Sequence, residues 1–350
     1  MRKPRNYNNK TLAIVLVIAC AVVIVGVITT LLLIKRNDTS AINADNTTVT
    51  QKSTEKVFEK ESVPTTETKD ATQETTTVKA NETTEQKGSE TLSQDNYTKY
   101  QTGEEIPLNM QWKYADFSAI HSGNAVYYKA TENAKGIAIA VNAGHGTSGG
   151  ESQKTYCHPD KSPKVTGGST AQGSVMATAV AGGMSFNDGT KESTAALNMA
   201  RILRDKLLSF GYDVVMLRDG EDVQLDNVAR TVIANNTAVC HISIHFDGDG
   251  LDYDKGVFYI GVPDGIKNLE SVASVWQKSE NLGMSIVDAL SNGGYKSYNN
   301  GRMEIDLTQT SYSTIPSVDL ELGNQCSDIS SDNMLKMADR IVEGINNNIG

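Results

Sequence analysis

Ile137-Ala-Ile-Ala-Val141 contains no polar residue and leads directly into Asn142-Ala-Gly-His-Gly-Thr-Ser-Gly149. An uninterrupted apolar run of this length, rich in β-branched residues, predicts a strand buried on both faces, as in parallel sheets covered by helices. Gly144 and Gly146 free the backbone on either side of His145, so the chain can turn sharply and a ligand can come close. Open α/β sheets bind their ligands where the strands end. His145 is therefore the first candidate site residue, and the remaining chain is read for what it brings there.

Downstream, Ala196, Ala200, Leu203, Leu207 and Phe210 recur at helical spacing, with Gly211 as the stop. Tyr212–Leu217 predicts a strand, Leu225–Ile233 an amphipathic helix, and Val239–Ile244 and Gly256–Val262 two further strands. A helix is expected over Ser274–Leu290, a strand over Ser317–Leu322, and a closing helix carries Leu335, Ala338, Ile341, Val342 and Ile345. Asn124–Lys129 reads as an early strand. The alternation predicts one α/β domain over residues 105–350, with a mixed, mostly parallel sheet flanked by helices. Residues 147–190 follow no period and are too long for an ordinary connection, so they are read as a functional insertion.

The front of the chain cannot join such a core. Arg2, Lys3, Arg5 and Lys10 lie within residues 1–10, and Thr11–Ile34 is a run of 24 residues without a charge. As a helix it would be about 36 Å long, enough to cross a bilayer. It exceeds the roughly 7–15 apolar residues of a cleaved signal peptide, so residues 11–34 are read as a transmembrane signal anchor. The positive-inside rule places residues 1–10 in the cytoplasm and the domain outside it. Residues 35–104, rich in Thr, Glu and Lys, have little to bury and are expected to form a disordered tether. A net charge of −10 and the lack of a basic block after Arg36 argue against a nucleic-acid partner. The four cysteines have neither disulfide-framework nor zinc-ribbon spacing. For Cys157, Cys240 and Cys326 the spacing leaves open one disulfide and one buried thiol.

His245 ends the strand that begins at Val239, again at a carboxyl edge. His241 precedes it by four residues, a zinc pair on a helix, but on a strand those residues lie about 13 Å apart. His241 is therefore read as structural. Glu192 opens the long helix, where an acid is favoured by the helix dipole whether or not it has a further task. Glu321, in Val318-Asp-Leu-Glu-Leu322, is an ionisable residue in an apolar strand, which is costly unless it is paired or functional. Asp319 shares its face by the period of two, so spacing does not choose between these two carboxylates. Gly144–Gly149 matches G-x-G-x-x-G, yet no helix pattern opens at its third glycine to hold a pyrophosphate, and the dinucleotide reading fails. Asp247, Asp249, Asp252 and Asp254 fail as a calcium loop because Leu251 stands where an oxygen ligand is needed, so they are read as a solvated turn.

Six segments, in order, resemble the zinc-dependent N-acetylmuramoyl-L-alanine amidases that cut bacterial cell wall. They are Asn142-Ala-Gly-His-Gly146, Lys191-Glu192, Leu217-Arg-Asp219, Leu225-Asp-Asn-Val-Ala-Arg230 with Ile233-Ala-Asn235, Ile242-Ser-Ile-His245, and Pro316-Ser-Val-Asp-Leu-Glu-Leu-Gly323. The resemblance implies that His145, Glu192 and His245 hold a zinc ion and that Glu321 is the catalytic glutamate. It implies peptidoglycan as substrate, cut between the lactyl group of N-acetylmuramic acid and L-alanine, with the domain on the cell-wall side of the membrane. The 147–190 stretch exceeds the family's usual length, which leaves Glu151 and His158 as competitors for the third ligand position. Phe246 and Asp247 stand where the family commonly has a small residue and an asparagine, and Asn324 where it has an aromatic. A related zinc peptidase remains a second reading. A non-catalytic wall-binding or regulatory module is a third, favoured if the insertion caps the zinc with an acid of its own.

Overall fold

Central strands buried at every position need a layer on either side of the sheet, and the chain supplies both. The computed structural model describes residues 99–349. The expected segments 1–10 and 11–34, and all of 35–104 before residue 99, lie outside the described residues. Among the described residues no helix is long and apolar enough to cross a membrane.

The strands are β1 (Glu105–Pro107), β2 (Asn124–Tyr128), β3 (Ala138–Ala143), β4 (Lys154–Tyr156), β5 (Met176–Thr178), β6 (Asp213–Met216), β7 (Cys240–Asp247), β8 (Val257–Gly261), β9 (Ser297–Glu304) and β10 (Ser317–Asn324). The helices are α1 (Glu192–Ser209), α2 (Asn227–Thr237), α3 (Trp276–Asn292), α4 (Thr308–Tyr312) and α5 (Ser331–Ile349). Eight strands form one sheet in the order β1-β2-β6-β3-β7-β10-β8-β9. Its centre, β6-β3-β7-β10, is parallel throughout. Antiparallel pairs join β2 to β6 and β8 to β10, and β9 runs parallel to β8 at the far edge.

Ile139, Val141, Ile242, Ile244, Val318 and Leu320 face α1, α3 and α5 and form the larger core. Ala138, Ala140 and Val215 face α2, with Tyr312 of α4, in a second core. Strands β7 and β10 extend past that second core, and there the face opposite the larger core turns polar. It carries His241, Ser243 and His245 on β7 and Ser317, Asp319 and Glu321 on β10.

The predicted elements from Asn124 onward are present with ends shifted by a few residues. Gly211 stops α1 at φ +85°, a conformation that glycine adopts without penalty. Sequence periodicity does not show β9, whose polar, mostly exposed residues form an edge strand, or α4, a single short turn whose polar residues are buried. Residues 147–190 contain one 3₁₀ turn (Gly150–Ser152) and the β4–β5 hairpin, and they fold back on the sheet edge. The Thr147 hydroxyl binds the carbonyls of Val223 and Leu225, and the Val180 amide binds the Gly150 carbonyl.

Candidate metal centre

Because β3, β7 and β10 are parallel neighbours, their carboxyl ends finish together, and α1 starts at that edge. The register sets His245 beside Glu321 and Ser243 beside Asp319. After β3 the Gly144 amide still pairs with the Ile244 carbonyl, at 3.0 Å. A Cβ on Gly144 would lie 2.3 Å from Cε1 of His245, so glycine alone admits the imidazole here. His145 follows at φ +64°, the left-handed region, which costs a non-glycine residue backbone strain.

Three side chains from three elements meet at one point. His145 Nε2 lies 2.8 Å from Glu192 Oε1, and His245 Nδ1 lies 3.0 Å from the same oxygen. The two imidazole nitrogens are 3.1 Å apart, and the three candidate ligand atoms all lie within 4.8 Å of one another. The Nδ1–H of His145 donates to the Ala181 carbonyl at 2.7 Å, leaving the Nε2 lone pair facing the centre. Glu192 is fixed from both sides: Oε2 accepts from the Met184 amide at 2.9 Å and Oε1 from the Phe246 amide at 3.1 Å. Two imidazoles and one carboxylate oxygen converging with an open side is the donor set of a catalytic zinc site.

Charge supports the same reading. Burial alone would raise the Glu192 carboxyl, but hydrogen bonds to His145 and His245 hold it well below the usual carboxylate range. Burial would lower His245, yet the carboxylates of Asp319, Glu192 and Glu321 carry it up to about 10. Glu321 is raised well above its ordinary value by burial and then by the charge of Asp319, and Asp319 is raised chiefly by burial. Glu192 therefore stays ionised beside the two imidazoles, as a metal-ligating carboxylate must be. Glu321 Oε2 and Asp319 Oδ1 are buried without a hydrogen-bond partner among the described residues.

Two arginines with almost no exposure hold the strained loop in place. Arg218 donates to the carbonyls of Ala143, Gly144 and Ser193 at 2.9, 3.0 and 2.7 Å. Arg230 donates to the carbonyls of Ala143 and His145 at 3.1 and 2.8 Å, to Asn142 Oδ1 at 3.1 Å, and to the Thr147 hydroxyl at 2.8 Å. Burial lowers the two guanidinium groups to about 10 and about 9, both still charged at neutral pH. Together they offset the strain at His145. Sequence reasoning gave neither a role, although a cation among Val228, Ala229, Val232 and Ile233 was a readable signal.

The competing candidates lie elsewhere. His158 is fully buried between Ser162 Oγ, at 2.8 Å from Nδ1, and Asp306, at 3.0 Å from Nε2. Glu151 lines the same groove as the centre but binds the Gly182 amide at 3.1 Å, outside the ligand group. His241 is buried, kept neutral by a pKa pushed down to about 3 by burial and Arg230, and remains a strand residue. Of the aspartate cluster, Asp252 and Asp254 are exposed as a solvated turn requires, whereas Asp247 and Asp249 depart from that reading by pairing with the nearly buried Lys255. Cys157, Cys240 and Cys326 are all free thiols, so no disulfide joins them. Phe246 packs edge-on against Phe186 in the larger core, with ring centroids 5.1 Å apart. Asn324 binds Asp249 and the Tyr253 carbonyl. The centre opens into a groove of about 630 Å³ walled by the insertion on one side and by Ile305–Gln309 on another.

Fold and site together define an α/β domain whose parallel strand edge presents a His-Glu-His group able to hold a metal ion. Residues 139–347 match the family model described as N-acetylmuramoyl-L-alanine amidase. The chain belongs to that family. No curated protein matches its sequence. Among solved structures, the apo N-acetylmuramyl-L-alanine amidase Ami1 of Mycobacterium abscessus is 20% identical with a TM-score of 0.51, the match covering 61% of this chain and 99% of that one. Ami1 of Mycobacterium smegmatis is 19% identical with a TM-score of 0.51, over 62% and 98%. At these identities the two structures speak for the fold.

Proposed function

We propose that this domain is a zinc-dependent amidase that cuts the bond between the lactyl group of N-acetylmuramic acid and L-alanine in peptidoglycan. His145 Nε2, His245 Nδ1 and Glu192 are the metal ligands and Glu321 is the general base. One observation carries the reading: Glu321 stands beside His245 in register, with a buried oxygen that has no hydrogen-bond partner among the described residues.

When bound, zinc lowers the pKa of a water ligand to about 7 and polarises the scissile carbonyl. Glu321 takes the proton of the attacking water and returns it to the departing amine nitrogen. Arg218 and Arg230 keep the His145 loop from relaxing. The groove between the insertion and Ile305–Gln309 is where the glycan-linked peptide lies. Residues 11–34 anchor the chain in the membrane, and the 35–104 tether lets the domain reach the wall outside it.

Turnover is favoured over a wall-binding module because Glu151, the groove-lining acid of the insertion, is turned to the Gly182 amide instead of toward the ligand atoms. The test is release of new L-alanine amino ends from purified wall, with and without a chelator. Release that stops with chelator and returns with zinc is expected. Absence of any zinc-dependent release ends the proposal, and products whose masses place the cut within the peptide stem transfer it to a peptidase.

A further inference from the structure

The two histidines of the centre are held differently. His145 gives its second nitrogen to a backbone carbonyl, that of Ala181, at 2.7 Å. His245 turns Nδ1 toward Glu192 and His145, and its Nε2 faces Oδ2 of Asp319 at 3.7 Å. Asp319 has no other hydrogen-bonding task there. Its side chain is about nine-tenths buried and Oδ1 is without a hydrogen-bond partner among the described residues. Ser243, beside it in register, has its hydroxyl bound to the Asn142 amide. His245, Glu192 and His145 act on Asp319, and Asp319 acts in turn on Glu321, so its surroundings are the centre itself.

We propose that Asp319 is the positioning residue of this centre: its carboxylate takes the Nε2–H of His245 and thereby commits Nδ1 to the metal. The inference rests on the zinc reading above and assigns Asp319 a task separate from the base, Glu321. About half an ångström of ring tilt brings the 3.7 Å separation to hydrogen-bond length. A metal-bound imidazole whose other N–H is held by a carboxylate has its tautomer and orientation fixed and is a more basic ligand, and losing such a partner typically weakens metal binding 10- to 100-fold. The location of Asp319 also explains why a carboxylate is kept where burial makes it costly: without the centre it is a buried group with nothing to bind.

The test compares the full-length chain with its Asp319→Leu, Asp319→Asn and Glu321→Gln variants, measuring zinc affinity against a chromogenic chelator and the unfolding temperature of the metal-free proteins. Asp319→Leu is expected to raise the zinc Kd about 10- to 100-fold. Asp319→Asn, whose amide oxygen still accepts a hydrogen bond, loses less, and Glu321→Gln leaves the Kd unchanged. The metal-free Asp319→Leu protein unfolds at the wild-type temperature or above it, whereas a merely structural residue would lower it. In cadmium-loaded protein with ¹⁵N-labelled histidine, the metal couples to Nδ1 of His245. A Kd for Asp319→Leu within twofold of wild type, or coupling at Nε2, overturns the assignment. A wild-type chain that binds no zinc overturns the metal reading itself, an outcome distinct from both.

Discussion

Two buried imidazole–carboxylate clusters lie in this domain, and they are built in opposite ways. Around His158 every polar atom is used: Nδ1 meets Ser162, Nε2 meets Asp306, and Asp306 also accepts from the Val165 amide at 2.7 Å. Lys164 closes the arrangement on the Asp306 carbonyl. At the strand edge, two imidazole nitrogens face each other across 3.1 Å, and buried oxygens of Asp319 and Glu321 have no hydrogen-bond partner among the described residues. The closed cluster pins the insertion to the segment before α4. The open one has ligand capacity left over. Residue type is alike in both, but His158 and Asp306 are fully buried while His145 and His245 are partly exposed to the groove, so access and unused hydrogen-bonding capacity together separate a site from a strut.

The largest expected effects test the open cluster. His245→Ala abolishes zinc binding and wall cleavage together, read by metal analysis and amino-end release. Glu321→Gln lowers turnover by about 10²–10⁴ while zinc content stays at the wild-type level. Full turnover in the Gln variant would move the base to Asp319 and erase the division of roles between them.

Next comes the scaffold that the open cluster needs. Arg230→Met leaves the His145 carbonyl without its guanidinium donor and the Ala143 carbonyl with Arg218 alone, costing roughly 3 kcal/mol in denaturant unfolding and weakening zinc binding. Unchanged zinc affinity in a folded Arg230→Met protein would show that the left-handed turn at His145 holds itself.

The closed cluster should respond only in stability. Asp306→Asn is expected to cost about 1–3 kcal/mol, through its bonds to His158 and the Val165 amide, with zinc affinity untouched. Loss of zinc in this variant would mean that the two clusters are coupled. The smallest effect is in pH. Burial would raise Asp306, but the hydrogen bonds from His158 and Val165 hold its pKa below the ordinary carboxylate value. A lowered folded-state pKa stabilises at pH above the unfolded value, near 4, and the benefit is lost as pH falls through the folded one. The stability gap between wild type and Asp306→Asn should therefore be constant at neutral pH and shrink in acid, as followed by unfolding at a series of pH values.

Much of this was readable in the chain. The apolar run into His145, the alternation that set Asp319 and Glu321 on one face, and the glycine stop of α1 each follow from residues a few positions apart. So does the choice of His245 over His241, because strand geometry alone keeps those two from one ion. The short polar elements were not readable. In β9, Arg302 is tied to Glu280 at 2.6 Å, a partner on α3 that no local period announces. The fate of the insertion was equally hidden, since His158 finds Asp306 across 148 residues. Nor did cysteine spacing reveal three unpaired thiols.

What the sequence determined by itself was the run of elements, the two-faced character of the strands, and which residue types could serve a metal. Those properties depend on neighbours within a turn or a pleat, where covalent geometry dictates who lies beside whom. Tertiary structure alone decided that His145 Nε2 and His245 Nδ1 face one oxygen of Glu192, that two arginines hold the turn, and that His158 is sequestered. Each of these joins side chains far apart in sequence, so only the packing of the parallel strands and the helices around them could bring the partners together.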